Sequence, residues 1–183
     1  GISAATVLPD ALAEQRARQT FHARRLGDKM GSLLTTHRVE KDRPFSFSVM
    51  TQPGDPLFEA LELQAISAIK IDVEGAELEV LSGLKETLLR YQPTVICEVL
   101  PVDADRSDRE ERRCKVDALL ALAQVIDYRL LSKGDDGRIS VVLNADDLLP
   151  GSEPDRLLVP SSAMDRIMSP GTQAGGTDEQ TPA

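Results

Sequence analysis

The chain has no tryptophan, four phenylalanines and two tyrosines, so aromatic residues make up only 3% of it. A stacking platform for single-stranded nucleic acid needs more of them. Positive charge is also short, with 21 Lys and Arg against 30 Asp and Glu and a formal net charge of -9. A basic face that tracks a phosphate backbone is excluded on that balance, and no nucleic-acid partner is expected. The two cysteines, Cys97 and Cys114, show no CxxC spacing. Neither a disulfide nor a zinc site is expected, which fits a reducing compartment. Apolar runs stay well short of the ~18 residues of a membrane span, so no membrane partner is expected. GISAATVLPD lacks the basic and apolar regions of a signal peptide, and the expected location is cytoplasmic. His22 and His37, the only histidines, have no ligand spacing and read as surface residues. Ser32 lies outside any GxSxG context, against a serine hydrolase. NADDLLPGSEPD lacks calcium-loop spacing.

What is present is 183 residues with 41% apolar content, enough for one domain with a core. Ala5–Leu8 (ATVL) reads as a short strand and Thr20–Ala23 as an outer one. Gly27–Thr36 reads as a loop. FSFSVM (Phe45–Met50) alternates apolar and polar residues, the pattern of a half-buried strand. Pro56–Leu63 reads as a short amphipathic helix. AIKID (Ala68–Asp72) is a strand. Glu77–Tyr91 is one helix, with Leu78, Leu81, Leu84 and Leu88 on a single face and Pro93 stopping it. TVICEV (Thr94–Val99) reads as a strand buried on both faces, which makes Cys97 an inert core thiol. Arg109–Ile126 is a helix carrying Leu119, Leu122, Val125 and Ile126 on its apolar side. Acids at Asp103, Asp105 and Asp108 precede it, Asp108 as a cap. Tyr128–Leu131 and Ile139–Leu143 flank the GDDG turn as a hairpin, and Leu157–Val159 adds a small strand. The order implies a mainly parallel α/β sheet whose last strand inserts antiparallel. Residues 1–168 form the domain, and 169–183 read as a disordered tail.

Acidic residues crowd the strand-to-helix joint in AIKIDVEGAELEVLSG (Ala68–Gly83). Glu77 and Glu79 suit a first helical turn, where the macrodipole favours negative charge by about 0.3–1 kcal/mol each. Glu79 reads as solvated. Asp72 closes a buried strand and points toward the carboxyl-end crevice, where ligands sit in open α/β sheets. Glu74 falls on the same rim. Either carboxylate could accept a proton from a hydroxyl or help hold a divalent cation. Lys70 shares the strand face of Asp72 and could keep an acid ionised. Glu98 ends the next core strand and delivers a third carboxylate to the same edge. The plain alternative is that Glu98 pairs with Lys70 or Arg90.

IKIDVEGAELEVLSGLKETLLRYQPTVICEVLP closely resembles the core signature of FkbM-type methyltransferases. VLPDALAE (Val7–Glu14), GDKMGSLL (Gly27–Leu34), DYRLL and LLVP resemble flanking segments of the same family. The resemblance spans about residues 5 to 160. It implies a Rossmann-like class I methyltransferase fold and S-adenosylmethionine as cofactor. It further implies O-methyl transfer to a small molecule such as a sugar or secondary metabolite. Asp72, Glu74, Glu98 and Lys70 would be the catalytic residues, with Asp10 and Ala11 near the adenine pocket. No Gly-x-Gly pattern follows a strand before residue 70, so the family's methionine-seating turn is not in this sequence. The chain is expected to be the C-terminal part of a longer enzyme. Also open are an inactive remnant that acts as an interaction module, a separate chain supplying the other half, and a homo-oligomer.

Overall fold

The computed structural model describes residues 5, 7–23, 33, 45–100, 102, 109–134, 136–148 and 154–169. The Gly27–Thr36 loop apart from Leu33 lies outside them, as do Ser32, His37, Asp103, Asp105, Asp108 and the tail beyond 169.

The first layer is a three-stranded sheet of β1 (Ala11–Leu12), β2 (Ala17–Ala23) and β3 (Phe45–Gln52), in the order β1-β3-β2. β1 runs parallel to β3 and β2 antiparallel to it. The strand expected at Ala5–Leu8 is not formed at Val7 and Leu8, and Val7 is 90% exposed. Pairing begins at Ala11, where Thr51 is opposite. Thr51 is buried, and its hydroxyl faces the carbonyls of Gln15 and Ala17 while Gln19 Nε2 donates to it. A polar group inside a sheet is tolerated when partnered in this way. His22 lies within β2, opposite Ser46. β3 forms where its alternation predicts, but Phe45 and Phe47 stay about two-fifths exposed, so its apolar face is less covered than expected.

Next come α1 (Gly54–Ala60), β4 (Ala68–Ile71), α2 (Glu77–Ser82), α3 (Lys85–Tyr91), β5 (Thr94–Glu98), α4 (Arg109–Val125), β6 (Tyr128–Lys133), β7 (Ile139–Val141), β8 (Asp155–Pro160) and α5 (Met164–Met168). The five strands make a second sheet in the order β4-β5-β8-β6-β7. The mainly parallel sheet expected from the strand–helix alternation is corrected here to a mixed one. Within this sheet β4–β5 is a parallel pair, whereas β5–β8, β8–β6 and β6–β7 are antiparallel. The reason is β8, which inserts between β5 and β6 and separates two strands that run the same way. That insertion, and the β6–β7 hairpin, agree with the expectation. The whole is an α/β fold with two mixed sheets.

The expected single helix over Glu77–Tyr91 is two helices. Gly83 ends α2, and a side chain there would strike the backbone carbonyl of Ala13. Its own carbonyl accepts from Asp55 N–H (2.9 Å). The chain restarts as α3 without a local cap, and the distant Asp55 supplies one. Its two carboxylate oxygens accept from Glu86 N–H (3.0 Å) and Thr87 N–H (2.8 Å). These are donors that a helix start leaves unsatisfied.

Leu81, Leu84 and Leu88 remain on one side and are fully buried with Val95, Cys97, Leu130 and Leu158. Each buried leucine contributes about 1.5–3 kcal/mol of transfer free energy. Tyr128 closes this core, its hydroxyl set between the carbonyls of Pro93 and Leu88. On α4 the inward residues are Val116, Leu119 and Ala123, while Val125 points outward, 66% exposed, against expectation. β5 is buried on one face only. Val95 and Cys97 face the core, and Thr94, Ile96 and Glu98 are half-buried on the other side.

Candidate functional site

The parallel pairing of β4 with β5 sets the site. Lys70 is level with Ile96, so Glu98, two residues on, stands on the same face of the sheet. Asp155 of β8 lies opposite Glu98 on that face. Ile71 and Cys97 point the other way, into the core. Burial pushes the Cys97 thiol up to about 12, as suits an inert core residue.

Lys70 takes a partner the sequence did not suggest. Its Nζ lies 2.6 Å from Asp155 Oδ1, and this bond raises its pKa, with the charges of Asp155, Asp72 and Glu98 acting in the same direction. Glu98 is hydrogen-bonded neither to Lys70 nor to Arg90 among the described residues, and the Arg90 guanidinium lies over the Tyr91 ring at 5.1 Å. Burial raises the Glu98 pKa, and the neighbouring charges of Glu74, Glu77, Asp72 and Asp155 raise it further.

Beyond β4 the chain turns sharply. Glu74 has φ 53° and Gly75 φ 101°, two consecutive left-handed residues. For a non-glycine residue such as Glu74 that conformation costs about 1–2 kcal/mol, so the surroundings must impose it. Glu77 does part of this. It is 7% exposed, and its Oε1 accepts the Gly75 N–H at 3.0 Å. Burial raises its pKa, and the backbone N–H groups of Gly75, Glu77 and Val73 oppose that rise. From α4, Lys115 Nζ donates to the Gly75 carbonyl at 3.2 Å. Helix-start electrostatics had accounted for Glu77 alone. Lys115, 40 residues from Gly75, carries no signal in the sequence. Glu79 is not simply solvated, since its Oε2 is buried without a hydrogen-bond partner among the described residues.

The turn brings three of the expected acids together. One carboxylate oxygen from each of Asp72, Glu74 and Glu98 lies within 4.8 Å of the other two. Three carboxylates so placed concentrate negative charge on the rim. The spacing is also open to a hard divalent cation, although exposed acids cluster in this way without one. Asp10 and Ala11, expected near a cofactor, line an open cleft of about 570 Å³ together with Lys70 and Asp72. Leu12, Phe21, Phe58 and Ile69 make its apolar lining. Its volume falls in the range of ligand sites. The expected residues thus converge on two faces of one region, joined at Asp72. No helix among the described residues is long and apolar enough to cross a membrane.

Residues 10–132 match the family described as "Methyltransferase FkbM domain". No curated protein matches the chain. The crystal structure of the methyltransferase FkbM from Methylobacillus flagellatus KT is similar at 18% identity and a TM-score of 0.40. The match covers 84% of this chain and 28% of that one, so the chain spans well under two thirds of that protein.

Proposed function

The chain belongs to the FkbM methyltransferase family, and from that premise we propose that it serves S-adenosylmethionine-dependent methyl transfer to a hydroxyl of a sugar or secondary metabolite. The observation that carries this reading is the meeting of the Asp72, Glu74 and Glu98 carboxylates within 4.8 Å at the carboxyl end of two parallel strands. The cleft beside it suits a nucleoside. It offers apolar walls for a base and Asp10 as an acceptor for hydroxyl groups. When bound there, the cofactor supplies an electrophilic methyl carbon.

The residues of the chain then have separate tasks. Glu74, held on the rim by the turn, would accept the proton that the substrate hydroxyl gives up when its oxygen is methylated. Asp72 orients that hydroxyl from the end of β4. Glu98, whose pKa is raised by burial and by its acidic neighbours, stands beside the proton being moved. Lys70, tied to Asp155, holds positive potential under the cluster. Most of the rate enhancement in such a displacement comes from positioning.

A competing reading, a catalytically inactive interaction module, draws support from the exposure of Phe45, Phe47 and Met50 on the small sheet. Calorimetric titration with S-adenosylhomocysteine separates the two. Binding by this chain alone removes the module reading. In a full-length, active form the methyltransferase reading expects Glu74→Gln to keep binding while methyl transfer is lost, and undiminished transfer removes Glu74 as the base.

A further inference from the structure

We propose that Lys115 of α4 is a positioning residue which, with Glu77, grips both backbone groups of Gly75 and thereby sets where the Glu74 carboxylate stands against Glu98. The inference rests on the rim reading of Glu74 and goes beyond it, because it places part of the site's control on a helix that contributes no group to the acidic cluster.

Glu74 and Gly75 are both left-handed. A turn of this kind relaxes unless its polar groups are held. The Gly75 N–H is held by Glu77 Oε1 at 3.0 Å and the Gly75 carbonyl by Lys115 Nζ at 3.2 Å. The two holding groups carry opposite charge. Burial raises the Glu77 pKa, and the charge of Lys115 opposes that rise more weakly than the backbone N–H groups do. Among the described residues Lys115 also pairs with Glu111, one turn earlier on α4 at 3.9 Å, a longer contact than the one to Gly75. Lys115 and Glu98 line the same small cavity of about 50 Å³ beside the turn. The ammonium therefore sits next to the cluster without belonging to it.

The test exploits a difference in sign. Removing a nearby cation can only raise a carboxyl pKa or leave it unchanged. If Lys115 instead holds Glu74 close to Glu98, removing it lets two like charges separate, and the Glu98 pKa falls. Carboxyl ¹³C NMR titration of the chain with chelator present reads this for Lys115→Met. The expected result is a fall in the Glu98 midpoint, restored in Lys115→Arg, which keeps a donor and the charge. A rise, or no change, overturns the proposal.

The unsubstituted chain gives a second test that does not depend on any variant folding. The Gly75 amide should exchange with solvent more slowly than an open turn by on the order of tenfold, the worth of one hydrogen bond. Exchange at the open-turn rate overturns the proposal as well. Neither measurement needs cofactor or turnover. If methyl transfer is the wrong reading, the sign of that failure is a full-length protein without transferase activity while the clamp stays intact.

Discussion

Glu98→Gln should make the protein more stable at neutral pH. The carboxylate is half-buried, and one of its oxygens lies within 4.8 Å of acidic oxygens from both Asp72 and Glu74. At that spacing two unit charges repel by about 3.5 kcal/mol at an effective dielectric constant near 20, and by about 0.9 kcal/mol in bulk water. Asp72 is exposed, which places the site toward the aqueous limit. Relief of roughly 1 kcal/mol is therefore expected. The folded-state pKa of Glu98 is raised above its ordinary 4.5, first by burial and then by its acidic neighbours. Its unfavourable effect is thus absent below about pH 4 and grows as pH rises through the raised value. Urea denaturation of both proteins near pH 7.5 and near pH 3.5, with chelator, reads the difference. The gain should appear only at the higher pH, as a rise of roughly 1 kcal/mol in the ΔG of unfolding. A loss of stability at neutral pH, or a gain equal at both values, would refute the view that these acids repel one another. A stabilising substitution at this position is the mark of residues held for function at a cost in stability.

Two further outcomes follow from the fold. Asp55→Ala removes both acceptors at the start of α3 and should lower stability by about 1–2 kcal/mol, with Asp55→Asn in between. Equilibrium denaturation checks this, and a change within error would mean that water caps α3 equally well. For the thiols, Cys97 is buried and Cys114 exposed, so a thiol reagent should label one cysteine in the native protein and both in denaturant. Rapid labelling of two in the native state would show that the β5 side of the core opens.

The sequence by itself determined those features that depend on neighbours a few residues away. Leu81, Leu84 and Leu88 recur at helical spacing and are all buried. TVICE forms the strand that its β-branched run indicates, although only Val95 and Cys97 face the core and the strand is not buried on both faces as the run suggests. The carboxyl ends of β4 and β5 carry Asp72 and Glu98 because their register follows from a parallel pair. Tertiary structure decided what depends on distant neighbours. Lys70 faces acids on its own strand end, yet its partner is Asp155, 85 residues on, because β8 inserts beside β5. The same insertion turns a sheet that reads as parallel into a mixed one. The regular period of Glu77–Tyr91 runs through Gly83 without a sign of the break, since its cause is the backbone of Ala13 against that glycine. Glu77 looks like any acid in a first helical turn until the Gly75 N–H and Lys115 close around it. Hydrophobic period and turn chemistry act within about four residues along the chain. The choice of a buried partner acts through space, and local pattern does not encode it.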